Sequence, residues 1–365
     1  MAIYKIFPLQ DTTLYTIYPD ANTGIDAMCE VSNILDISGT PQVARYLSLY
    51  DDTEIADIIN NTISGNPYSV YLRNFISTAK GIGTDISLDI RPVAQTWNNG
   101  TGYFGDSPEE TDGASWDSAT YNTTWSISGN IGGYSYTGSN IGTGGGNWFT
   151  TSSLHITQSF GLRAQKDLEL NVTPIVTSWY NQSIPNNGFI TKLSSSFEFN
   201  ANVEPSLKYY SVDTNTIYPP HLEFRWRDYK TVLTGSATSS IVTTPDIKIS
   251  LAENPTLFYP ESINRFYLNV SPLYPTRTFQ TSSYFTDLHY LPTSSYFAIK
   301  DLDTNDYVCT FDETYTQISS DANGNYFTVY MSGLEPERYY QIVIKSEING
   351  STVLFDDNYY FKVIN

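Results

Sequence analysis

The sequence is poor in several residue types, and each scarcity excludes a class of protein. Only two of its 365 residues are cysteine. Cys29 and Cys309 lie near opposite ends of the chain, so a disulfide-stapled scaffold is excluded and the fold must rest on packing. Lys and Arg number 19 against 38 Asp and Glu, a formal net charge of -19. Such a field repels phosphate backbones and excludes a typical nucleic-acid binder. Charged residues make up only 16% of the chain, so the acidity reflects missing basic side chains rather than an acidic disordered tail. No apolar run approaches the roughly 18 residues of a membrane helix. The start MAIYKIFPLQD has no basic stretch leading into an apolar one, so neither classical secretion nor membrane insertion is expected. Only three histidines exist, at 155, 221 and 289. None sits at a metal-ligand spacing with another His or Cys, which argues against a zinc hydrolase; half-buried strand positions are expected for them instead.

What the chain has in quantity is tyrosine, 30 residues, within an aromatic content of 15%. Tyr, Thr, Ile and Phe suit pleated, half-buried surfaces, so the composition predicts an all-β protein. Helical spacing occurs in only two short stretches. In TEIADIINN (53–61) Ile55, Ile58 and Ile59 share a face behind the capping Asp51 and Asp52, and in VTPIVTSWY (172–180) Ile175, Val176 and Trp179 do so behind Pro174. Strands are predicted at 44–50, 68–75, 86–93, 154–164, 188–194, 207–212 and 221–229. In the last, Leu222, Phe224 and Trp226 face one way while Glu223, Arg225 and Arg227 face a wet side. Together these predict a first β-sandwich over 1–230. An uncharged Ser/Thr-rich stretch at 231–245 reads as a linker or exposed strand. Further strands at 246–252, 264–271, 295–302, 307–311, 326–334, 339–348 and 359–364 follow, with a turn signal at DANGN (321–325). Their spacing predicts an immunoglobulin- or fibronectin-like sandwich over 246–365, without the Cys and Trp pin of true immunoglobulin domains. It is expected to fold alone from about 232.

Between 98 and 153 the chain is dense in Gly, Ser, Thr and Asn. It reads as a long loop on the rim of the first sandwich, removable between 103 and 150 without unfolding it. Its triple glycine at 144–146 lacks the Lys and Ser/Thr of a phosphate loop and reads as a permissive turn. Two site readings fall here. Asp106, Glu109, Glu110 and Asp112 could form an oxygen cage for calcium or simply a solvated acidic loop. Tyr103, Trp116, Trp125, Tyr134, Tyr136 and Trp148 stand in a setting too glycine-rich to bury them all. They are expected to anchor a protein interface, to stack on sugars, or to pin the loop. No nucleophile elbow, P-loop or dinucleotide fingerprint is present, and no carboxylate pair can be assigned as a glycosidase dyad, so no enzyme is expected.

Several segments in order resemble the DNRLRE-type, carbohydrate-module-like β-sandwich: DTTLYTIYPDANTG (11–24), YSVYLRNF (68–75), LDIRPVAQTWNNGTGYFGD (88–106) with GASW (113–116), LELNVTPIVTSWYNQSIPNNGFITKLS (168–194) and HLEFRWRDY (221–229). Asp11, Trp97, Trp116, Val172, Thr173, Val176, Trp179, Asn187, Gly188 and Phe189 occupy places that match the family pattern. The Asp that usually precedes its Val-Thr is Asn171 here, the YLRF strand reads YLRNF, and the insertion is longer than typical. The resemblance covers about residues 5–229 and implies a jelly-roll sandwich. With the second sandwich, the whole resembles structural proteins of tailed bacteriophages, T4-like or marine. That implies a virion component in the neck, baseplate, tail or fibre, made in the host cytoplasm, with other virion proteins as partners in a symmetric assembly. A module that binds host surface glycans is the alternative.

Overall fold

The computed structural model describes residues 2–83, 85–127, 131–133, 144–233, 240–253, 255–274 and 288–364. The protein is all-β: strands account for 44% of it and helix for 8%. None of the helices among the described residues is long and apolar enough to cross a membrane. The chain divides into two compact units. One comprises Ile6–Ser64 and Ser69–Glu223, and the other comprises Phe224 onward together with the residues up to Lys5 and Gly65–Tyr68.

In the first unit an eight-stranded antiparallel sheet runs in the order Ile156–Phe160, Ile86–Pro92, Phe189–Leu193, Pro41–Leu49, Met28–Leu35, Ser206–Tyr210, Ile76–Lys80, with Gln10–Tyr15 also pairing with Pro41–Leu49. A separate four-stranded sheet runs Ile3–Ile6, His221–Trp226, Tyr68–Asn74, Leu168–Asn171; its residues 3–5, 68 and 224–226 are counted in the other unit. Alternation explains most of these strands: in Tyr68–Asn74, Val70, Leu72 and Asn74 are buried while their neighbours are half exposed. The His221–Trp226 strand departs from the expected wet face, because Glu223 is buried beside His221, 3.6 Å from it. Both short helices form. Asp51 caps the first, its carboxylate accepting from the Thr53 N–H at 2.7 Å. The second, Thr173–Tyr180, buries Ile175, Val176 and Trp179, with Trp179 against Phe189 at 4.6 Å. Asn171 stands where the resemblance has Asp, and its side-chain oxygen still accepts from the Thr173 N–H and hydroxyl.

The second unit packs two sheets. One runs Ile247–Leu251, Ile263–Pro272, Gly324–Tyr330, Ser319–Asp321, and the other runs Leu257–Phe258, Ser351–Val363, Tyr339–Ile348, Ser295–Asp301, Tyr307–Cys309. In chain order this is the A-B-E-D against G-F-C arrangement of immunoglobulin-type sandwiches. Phenylalanines replace the missing Cys and Trp pin: Phe266 and Phe327 of one sheet meet Phe297 and Phe361 of the other, with Phe297 to Phe327 only 4.2 Å between ring centres. The turn expected at DANGN is a two-residue hairpin closed by Asp321 and Gly324. LEPERYY forms a tyrosine corner, in which the buried Tyr340 at the start of its strand donates its hydroxyl to the Glu335 carbonyl at 2.9 Å. Of the stretch read as a linker, residues 234–239 lie outside the described residues, and Ile241 bridges Tyr290.

Candidate functional site

The Gly-rich insertion is not a rim loop. One face of the eight-stranded sheet presents Leu14, Val43, Leu47, Val93 and Ile190, and the insertion lays Trp97, Ala114, Trp116, Ala119 and Trp125 onto it as a single buried cluster. The indole N–H groups are satisfied inside this cover: Trp97 donates to the Asn187 carbonyl at 2.8 Å and Trp125 to the Ser115 carbonyl at 3.0 Å. Trp116 and Trp125, expected among exposed interaction aromatics, are therefore core residues, and Trp148 is partly buried against the same cluster. Tyr134 and Tyr136 lie outside the described residues.

Beside the tryptophans runs a row of buried charges. Arg45 Nε donates to Glu198 at 2.7 Å, Lys192 lies 3.1 Å from Glu198 and 3.8 Å from Asp89, and His155 sits 3.2 Å from the other Asp89 oxygen. Arg45 lies over the rings of Trp116 and Trp148, at 4.8 and 5.3 Å from their centres, and Lys192 over Trp148 at 5.4 Å. Burial holds the Lys192 ammonium below the usual lysine range, offset in part by Glu198. The arrangement neutralises itself and ties the cover to the sheet. The triple glycine belongs to it. Gly144, Gly145 and Gly146 all have positive φ. A Cβ on Gly145 would come within 2.7 Å of Arg45 Nη1 and of the Trp116 ring, so close approach to the cover requires glycine there.

The exposed part of the insertion is the tip between Asn99 and Gly113. Asn22 is its fastener: its amide donates to the carbonyls of Asn99 and Ala114, its side-chain oxygen accepts from Gly102 at 2.9 Å, and its own N–H donates to the Glu110 carbonyl at 2.8 Å. Asp112 accepts from the Thr101 N–H at 2.9 Å and hydroxyl at 2.8 Å, and Asp106 accepts from the Tyr103 N–H at 2.8 Å. Asp106 and Asp112 spend their oxygens on separate turns while Glu109 and Glu110 point to solvent. No three His, Cys, Asp or Glu side chains among the described residues converge as a metal site. The acidic stretch is a hydrogen-bonded loop.

What the tip presents is a pair of adjacent aromatics, Tyr103 and Phe104, 51% and 49% exposed. Phe104 leans on Tyr15 and Tyr18 at 4.7 and 5.5 Å, and its N–H donates to the Asp26 carboxylate. Burial raises the Asp26 pKa, with the Phe104 N–H opposing that rise. Of the expected interaction residues, Tyr103 alone is fully displayed among those described. Phe104 was not singled out from the sequence, and neither were Asn22, Arg45, Lys192 and Glu198. Phe104 adjoins Tyr103 in the same loop, which is a readable signal; strand pairing brings Arg45 and Lys192 together, while Asn22 and Glu198 reach their partners from loops far away in sequence.

No protein-family model matches this chain, and no curated protein is similar to it in sequence.

Proposed function

We propose that the protein is an architectural or adaptor component of a tailed-phage particle, in its neck, baseplate, tail or fibre, and that it works through contacts with other virion proteins. The observation that carries this reading is the braced tip. Tyr103 and Phe104 stand out from a loop whose backbone is fixed by Asn22, Asp26 and Asp112. Rigid aromatics lose little entropy on docking and so are effective anchors at protein interfaces. The likeness of residues 5–229 to the DNRLRE-type sandwich adds support: its segments 11–24, 88–106 and 113–116 are knit together by Asn22. The immunoglobulin-like second unit is a module suited to lateral contacts.

The test is cryo-electron microscopy of particles from the source, paired with a Tyr103→Ser/Phe104→Ser variant. Density for the chain is expected with the tip at a subunit contact, and the double variant is expected to be incorporated at least ~10-fold less, in line with the loss of hot-spot aromatics. Particles without the chain would overturn the reading.

A glycan-binding role is the second reading, and it rests on other residues than the buried tryptophans. Tyr210 and Tyr218 stack at 5.9 Å and are half exposed, with Phe75 against Tyr218. Binding on a glycan array that is lost in Tyr218→Ala would favour it.

A further inference from the structure

The buried row of charges holds an amine and a carboxyl in position to condense. Lys192 and Asp89 stand directly opposite one another on the paired strands Phe189–Leu193 and Ile86–Pro92, so their side chains share one face of the sheet. Lys192 Nζ lies 3.8 Å from Asp89 Oδ2 and 3.1 Å from Glu198 Oε2, and the side chains of Lys192, Asp89 and Glu198 are only 6%, 12% and 5% exposed. The Trp148 ring covers the amine at 5.4 Å. His155 Nε2 lies 3.2 Å from the other Asp89 oxygen.

An ion pair in such a place is costly, because both charges have given up their hydration. Joining Lys192 to Asp89 removes one charge of each sign from the interior and leaves Arg45 and Glu198, 2.7 Å apart, as a balanced pair. Burial, opposed by Glu198, already draws the Lys192 pKa down, which favours the neutral amine that a nucleophile must be. Adjacent strands hold the two groups together, so no encounter has to be waited for. Nor does a disulfide tie this chain, since Cys29 and Cys309 are both thiols.

We propose that Lys192 and Asp89 form an intramolecular isopeptide bond, with Glu198 as the base. Within the pair the ammonium passes a proton to Asp89 Oδ2, giving an amine and a carboxylic acid. Nζ then attacks Asp89 Cγ, Glu198 Oε2 takes a proton from the attacking nitrogen, and the Oδ2 hydroxyl departs as water with that proton. One C–N bond forms and one C–O bond breaks. Glu198 ends as it began, and nothing is oxidised or reduced. Oδ1, the oxygen that stays, carries the developing charge beside His155. The link closes a loop from 89 to 192 that contains the whole Gly-rich insertion, so it restricts the unfolded chain as a disulfide across a long loop does. The inference rests on the buried row alone and does not require the particle reading.

Mass spectrometry of the intact, folded full chain tests it. The protein is expected to be lighter than its sequence mass by one water. A tryptic map is expected to show a branched peptide that joins the segments carrying Asp89 and Lys192, uncut after Lys192 because its amine is blocked. Lys192→Arg removes the nucleophile and Glu198→Gln removes the base, and each is expected at full sequence mass. Circular dichroism shows whether the variants are folded; if either is not, the mass and peptide map of the unaltered chain decide the matter by themselves. An unaltered chain at full sequence mass overturns the proposal. So does a lost water that maps elsewhere, as to a succinimide at Asp112–Gly113.

Discussion

Asp11 is a carboxyl sealed inside the first unit. It is 1% exposed, and it accepts a hydrogen bond from the Val212 N–H at 2.8 Å. Burial, opposed by that bond and aided by nearby Asp213, lifts its pKa from 3.8 to about 7. Between those two values the native state holds a proton that the unfolded chain has released. Stability is therefore full below about pH 4, falls as pH rises toward 7, and is level above it, a loss on the order of 4 kcal/mol at most. Asp11→Asn keeps an acceptor for Val212 and removes the charge. Urea denaturation should find the variant close to wild type at pH 4 and more stable by about 2–4 kcal/mol at pH 8. An unchanged pH slope would mean that another group is responsible.

At the scale of elements the insertion is the instructive case. Trp116 is 4% exposed within the cluster that also holds Leu14, Leu47 and Ile190. Trp116→Ala should cost about 3–5 kcal/mol, read from the shift of a urea transition, and it also strips Arg45 of one of its rings. Deleting 103–150 uncovers this face rather than trimming a rim, so loss of folding is the expected outcome. The strands were legible because alternation is local: YSVYLRN and NRFYLNV carry their own period in sequence. The cover was not, because nothing in a Gly/Ser-rich stretch says that its tryptophans meet Leu14, Val43 and Ile190 from three separate strands. The same holds for the charged row: strand register brings Arg45, Asp89 and Lys192 together, and Glu198 and His155 join them from segments outside the strands. The tip was half legible. Tyr103 could be picked by its type and setting, but the bonds by which the Asp112 and Asp106 carboxylates accept from the Thr101 and Tyr103 N–H groups could not.

For the whole molecule, the division of the chain is not a simple cut. The immunoglobulin-like unit takes Trp226, which is 2% exposed and packs edge-on to Tyr330 at 5.6 Å, and it takes Ala2, whose N–H donates to the Tyr315 carbonyl at 3.1 Å. A fragment starting at 232 lacks both. Compared with one starting at 224, it should unfold at lower urea, with a deficit of about 3–5 kcal/mol, the scale of a buried Trp; equal midpoints would show that the unit is complete without Trp226. The same feature sets a clock on synthesis. Lys5 Nζ reaches the Val308 carbonyl, 303 residues further along. At about 5–20 residues per second, Lys5 leaves the ribosome ~15–60 s before Val308 exists. For that interval Lys5 has no Val308 carbonyl to reach, and the yield of native protein should depend on how fast the chain is made and on what shields the segment up to Lys5 while it waits.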